Sequence, residues 1–94
     1  MDATEEDGWT ALMFSAQNGH DHCARALLEA KADPNIENHK HVTALNLACE
    51  NEHEECAMLL LRYGAAADVR DDWGDTPRST AQAKGMDRVL AMML

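Results

Sequence analysis

Five histidines and three cysteines are the residues best able to do chemistry in this 94-residue chain, and they crowd most tightly in His20-x-His22-Cys23 and His53-x-x-Cys56. Imidazole and thiolate at short spacing are the donors of a tetrahedral zinc site. A cysteine beside a histidine is also the start of a nucleophilic pair. A third grouping, His39 and His41, reads as a loop pair open to adventitious metal. Neither chemistry is completed by the rest of the chain. No Ser-His-Asp or Cys-His-Asn pattern accompanies an oxyanion-forming glycine turn, and no G-x-G-x-x-G or G-x-x-x-x-G-K-[ST] stretch offers a phosphate cradle. The acidic pair Glu54-Glu55 reads as compensation for the positive end of a helix dipole rather than as paired acid and base. The sequence therefore predicts no catalytic residue, no metal site and no cofactor.

The two His/Cys groupings are better explained by the element that carries them. Thr10-Ala11-Leu12 returns 33 residues later as Thr43-Ala44-Leu45, and Thr76-Pro77-Arg78 follows at the same interval. The first two copies also share Asn18/Asn51, His20/His53, Cys23/Cys56, Ala24/Ala57, Leu27/Leu60, Leu28/Leu61 and Ala32/Ala65. The third copy keeps Gly74, Thr76, Ala81, Gly85 and Asp87 in phase. Self-similarity at one fixed period marks a stack of like supersecondary units. Equivalent positions in stacked helical units lie on the order of 10 Å apart, too far for ligands that must converge on one ion. Cys23 and Cys56 accordingly read as small core residues, and His20 and His53 as helix-start residues.

Within a unit the pattern reads helix, turn, helix, loop. Thr10, Thr43 and Thr76 stand where a capping hydroxyl belongs, ahead of short Ala- and Leu-rich helices over residues 11–17 and 44–50. Asn18-Gly19 and Lys84-Gly85 end the first helices, and Asp21, Glu54-Glu55 and Asp87 open the second ones. The apolar positions Cys23, Ala24, Leu27 and Leu28 and their copies Cys56, Ala57, Leu60 and Leu61 follow one helix face. Helices of about two turns do not persist alone in water, so each must be stabilised by its neighbours. Residues 31–42 and 64–75 are loops, with Ala-Asp-Pro-Asn and Asp-Asp-Trp-Gly-Asp as turn chemistry.

Composition excludes several partners. Seventeen Asp and Glu oppose eight Lys and Arg, for a formal charge of −9, which repels phosphate backbones and anionic membranes. Basic proteins or basic patches suit it better. Hydrophobic runs reach six residues, as at 56–61, against the roughly 20 that a membrane helix needs. The acidic N-terminus has no signal-peptide pattern, and the odd number of cysteines suits reduced thiols in an intracellular protein, cytoplasmic or nuclear.

The 33-residue period, with Thr10-Ala11-Leu12-Met13-Phe14-Ser15, Thr43-Ala44-Leu45-Asn46-Leu47-Ala48 and Thr76-Pro77-Arg78-Ser79-Thr80-Ala81 in register, resembles the ankyrin repeat signature T-P-L-H-x-A. Gly19-His20, the paired leucines and Lys31-Ala32-Asp33-Pro34-Asn35 extend the likeness over nearly the whole chain. The resemblance implies an all-α ankyrin-repeat solenoid of stacked helix-turn-helix units joined by hairpin-like loops. It would form one domain over 1–94, with repeats at about 5–37, 38–70 and, truncated, 71–94. Departures from the pattern carry expectations too. Met13, Asn46 and Ser79 replace the signature histidine, so the hydrogen bonds that the family uses to tie neighbouring units together must be weaker or different. Lys31, His41 and Glu52 stand where the family has glycine at positive φ, at a cost of very roughly 1 kcal/mol each. Arg78, Thr80 and Gln82 make the first helix of unit three polar, as suits an end unit.

The resemblance also implies a use: protein–protein interaction through loop tips and the concave face of the first helices. Carried over, those positions are Glu6, Asp7, Trp9, Gln17 and Asn18 in unit one, and His39, Lys40, Val42, Glu50 and Asn51 in unit two. Unit three adds Asp72, Trp73, Asp75, Ala83 and Lys84. Two tryptophans with five carboxylates against two lysines imply a partner protein presenting an apolar or Arg-rich segment. The alternative for each tryptophan is packing on its neighbouring loop. For the chain as a whole it is a structural or regulatory fragment of a longer array; a monomer or a piece of a longer chain is expected.

Overall fold

The computed structural model describes residues 8–93, which form six helices in three pairs. These are α1 (Ala11–Asn18) with α2 (Asp21–Glu29), α3 (Ala44–Glu50) with α4 (Glu54–Arg62), and α5 (Pro77–Ala83) with α6 (Asp87–Met92). First helices stack as α1–α3–α5 and second helices as α2–α4–α6.

Each first helix starts where the sequence places its cap. The hydroxyls of Thr10, Thr43 and Thr76 accept from the backbone N–H of Met13, Asn46 and Ser79, satisfying donors that the first helical turn leaves free. Ser79 returns the favour at Thr76, whose N–H donates to the Ser79 hydroxyl at 2.9 Å. First helices then end on a left-handed residue at one recurrent phase: Gly19 (φ 69°), Glu52 (φ 58°) and Gly85 (φ 67°). The other two glycine departures behave alike. Lys31 (φ 75°) matches Gly64, and His41 (φ 61°) lies between Gly8 and Gly74. The three non-glycine residues with positive φ among the described residues are thus the three that the sequence singles out, and unit two holds two of them.

The core is a continuous strip of small and branched residues. Leu12, Met13, Ala16, Ala24, Leu28, Leu45, Ala48, Cys49, Ala57, Leu60, Ala81 and Val89 are buried, so alanine phases let helices approach closely while leucines fill the spaces between pairs. Cys23 departs from expectation. It is exposed, whereas Cys56 at the same phase is fully buried. Cys56 is covered by the preceding unit, its thiol donating to the Asp21 carboxylate at 2.8 Å and lying 4.0 Å from the Ser15 carbonyl. No described unit precedes Cys23, so periodicity alone misplaces it. Burial pushes the Cys56 and Cys49 thiols up to about 12, with Asp21 adding to the effect at Cys56. Both are therefore protonated and inert.

One histidine does reach across to the preceding unit. His53, at the N-cap of α4, donates from Nε2 to the Gln17 carbonyl of the preceding unit at 3.0 Å; a carbonyl can only accept, which fixes the tautomer. Its ring lies against Gly19, where a Cβ would stand 2.7 Å from Nδ1. Among the described residues no helix is long and apolar enough to cross a membrane.

Candidate partner-binding groove

The loops after the second helices are built by one device used twice. In the loop of residues 31–42, the Asn38 side-chain oxygen accepts from Lys40 N at 2.8 Å and Val42 N at 3.0 Å, while Asn38 N donates to Val42 O at 3.0 Å. Thirty-three residues on, Asp71 Oδ1 accepts from Trp73 N at 3.0 Å and Asp75 N at 2.9 Å, and Asp71 N donates to Asp75 O. A short side-chain acceptor that mimics the backbone closes a tight turn, and it holds the residues between in fixed projection. Lys40, His41, Asp72 and Trp73 are among those residues. Adjacent tips are tied by Asp72 N donating to Lys40 O at 3.0 Å and by His41 Nδ1 against Asp72 Oδ1 at 2.7 Å. Lys40 Nζ then sits 5.7 Å from the Trp73 ring centroid, within cation–π range.

Between these tips and the first helices runs a groove of about 580 Å³. Of the sequence-predicted residues, Trp9, Gln17, Lys40, Val42, Glu50, Asn51, Trp73 and Asp75 line it. Asn18 does not, and its amide donates to the Phe14 carbonyl at 2.9 Å. Asp72 is engaged with His41, Lys84 lies 4.0 Å from Glu52, and His39 packs beside Gly8. Ala83 is exposed off the groove. Glu6 and Asp7 lie outside the described residues.

The two tryptophans are not equivalent. Trp73 is 66% exposed on its tip. Trp9 is half-buried, packed against the core, with its ring 5.0 Å from that of Phe14 at 35°. Packing on a neighbour, the alternative use of a loop tryptophan, therefore applies to Trp9. Phe14, 42% exposed, supplies the surface that Trp9 covers.

Four groove residues were not named from the sequence: Asn38, Asn46, Leu47 and Asp71. Asn38 and Asp71 share one repeat phase, and an Asx residue recurring there was a readable turn signal. Asn46 replaces the signature histidine. It is buried, and its amide nitrogen has no hydrogen-bond partner. Among the described residues no group of three or more His, Cys, Asp or Glu could hold a metal ion.

Stacked helix pairs with turn-closed loops projecting beside a row of first helices define a helical repeat platform. The model for ankyrin repeats matches in three copies over residues 1–71 and 31–94, and the chain belongs to the ankyrin repeat family. Ankyrin repeats are in general protein-interaction modules, themselves non-catalytic. The chain is also similar to the NAD-capped RNA hydrolase NUDT12 of Macaca fascicularis, Pongo abelii and Homo sapiens, at 46% identity over 44 residues. That alignment covers 47% of this chain and 10% of each relative, so the chain matches about a tenth of these larger proteins.

Proposed function

We propose that the chain is a single repeat domain over residues 1–94 that binds another protein through its loop tips and the concave face of its first helices, and that it carries no catalysis of its own. The observation that supports this most is Trp73: a large ring held two-thirds exposed by a closed turn, beside a groove lined by residues of all three units. Burying such a ring is what the central residues of protein interfaces do. The net charge of −9 favours a protein partner over nucleic acid or an anionic membrane.

The test is Trp73→Ala, since Trp9 is committed to packing. A partner recovered with the wild-type chain should be lost, with the affinity falling at least tenfold, while the melting temperature stays within a degree or two. Equal loss of stability and binding, or unchanged binding, would sink the reading. A second reading, a segment within a longer protein, rests on the short share of NUDT12 that the chain matches. It predicts that a longer natural chain, if one exists, has slower amide exchange in α2 or α6 than residues 1–94 alone.

A further inference from the structure

The groove's chemistry narrows what it can take, given the interaction reading above. Its charged lining is Glu50, Asp71 and Asp75 against Lys40. Asp71 spends its Oδ1 on the turn, but Glu50 and Asp75 have no side-chain partner among the described residues, and both are exposed. The one ammonium is already placed over the Trp73 ring, which shows that ring disposed to receive a cation.

At the groove's floor Asn46 is 3% exposed, and its Nδ2 has no acceptor. A buried amide donor without a partner is costly, and Asn46 belongs to the groove's lining. Gln17 adds a second carboxamide on the same lining with no side-chain partner among the described residues. Two free amides ask for peptide carbonyls and N–H groups. A helix spends those groups internally; an extended chain presents them.

We propose that the groove accepts an extended, arginine-bearing segment of a partner protein. Its guanidinium takes the face of Trp73 in place of Lys40, Glu50 and Asp75 meet its charge, and one of its backbone carbonyls accepts from Asn46 Nδ2. Arginine fits better than lysine because the planar, weakly hydrated guanidinium stacks on indole while keeping its N–H groups for carboxylates.

The experiment is calorimetric titration of the full chain with the blocked peptide Gly-Leu-Arg-Leu-Gly and with versions carrying lysine, citrulline or glutamate in place of the arginine. The arginine peptide should bind best, citrulline at least fivefold more weakly, and glutamate not measurably. Salt should weaken the arginine peptide and leave citrulline unchanged. Trp73→Ala should cost at least tenfold, and the pair Glu50→Gln with Asp75→Asn about threefold to tenfold. Asn46→Met copies the residue that unit one holds at this phase, Met13, which is buried there. It should keep or raise the melting temperature yet weaken the arginine peptide about fivefold, a split that a purely structural asparagine would not give. Citrulline binding as tightly as arginine overturns the cationic class while a Trp73-dependent groove survives. Arginine binding that ignores Trp73, or none at millimolar peptide, overturns the proposal, and a natural partner that also ignores Trp73 overturns the interaction face itself.

Discussion

The two junctions of the stack are held by different physics. Between units one and two the ties are neutral or buried: His53 on the Gln17 carbonyl, the Cys56 thiol on Asp21, and Asn35, whose amide donates to Gly64 O at 3.0 Å while its oxygen accepts from Ala66 N at 2.8 Å. Between units two and three all the ion pairs among the described residues gather: His41 with Asp72, Arg78 with Asp68, Lys84 with Glu52, and Arg88 with Glu54 and Glu55. Asp68 lies at the phase of Asn35, yet it reaches Arg78 rather than bridging loops. Geometry-bound hydrogen bonds and packing define the first junction, while solvent-screened charge decorates the second. Exposed pairs contribute little and less in salt, so unit three is the part of the stack whose docking answers to the medium.

The sharpest way to break this contrast is a pair of alanine substitutions at one phase. At Gly19 a Cβ would meet the His53 ring at 2.7 and 2.8 Å, and φ is 69°. Strain in the backbone, displacement of the ring and loss of its bond to Gln17 together make Gly19→Ala cost ~3 kcal/mol. Gly85 has nearly the same φ, 67°, but nothing within 4 Å of its would-be Cβ, so Gly85→Ala should cost only about 1 kcal/mol. Urea unfolding of the two variants checks this. Equal losses would mean that the His53 contact is not what secures the first junction.

Much of this architecture was legible in the residues, and the failures have one cause. Caps at Thr10, Thr43 and Thr76 and the left-handed demands on Lys31, His41 and Glu52 are local, set by backbone sterics within a few residues, so the period exposes them. Burial is not local. Cys23 and Cys56 share a phase and differ because a unit covers only one of them; Trp9 and Trp73 differ because Phe14 lies beside only one. Periodicity assigns a residue to a face but cannot say whether that face has a neighbour. The same limit hid Asn46, whose departure from the signature was visible but whose unpartnered amide is a property of tertiary burial.

A middle-sized effect separates the loop bridges. Asn35→Ala removes two hydrogen bonds across the first junction and should cost about 1–2 kcal/mol at any salt concentration. Asp68→Ala removes the exposed pair with Arg78 and should cost visibly less, with the difference from wild type disappearing by about 1 M salt, where the Debye length is about 3 Å. Thermal melts in low and high salt decide it. A salt-dependent loss at Asn35, or a salt-independent one at Asp68, would dissolve the contrast between the junctions.

The smallest effect is also the one whose sign turns on pH. Asp72 raises the His41 imidazole above its ordinary value, first by the hydrogen bond at 2.7 Å and then by its charge, with Glu37 adding to the charge effect. A group whose folded pKa exceeds its unfolded one contributes stability that is fully present below the unfolded value, near 6.5, and lost as pH rises through the folded value. His41 also sits at φ 61°, where glycine carries no side-chain penalty. His41→Gly should therefore gain at pH 8.5, where only the backbone relief counts, and gain less or lose at pH 5.5, where the ion pair is given up. Because Asp72 is joined to the Lys40 carbonyl and Trp73 follows it in the chain, the same titration should change amide exchange at Asp72 and Trp73 in the wild-type protein while leaving α1 untouched. Melting curves of the variant that shift in parallel at both pH values would show that the His41 pair contributes nothing to the second junction.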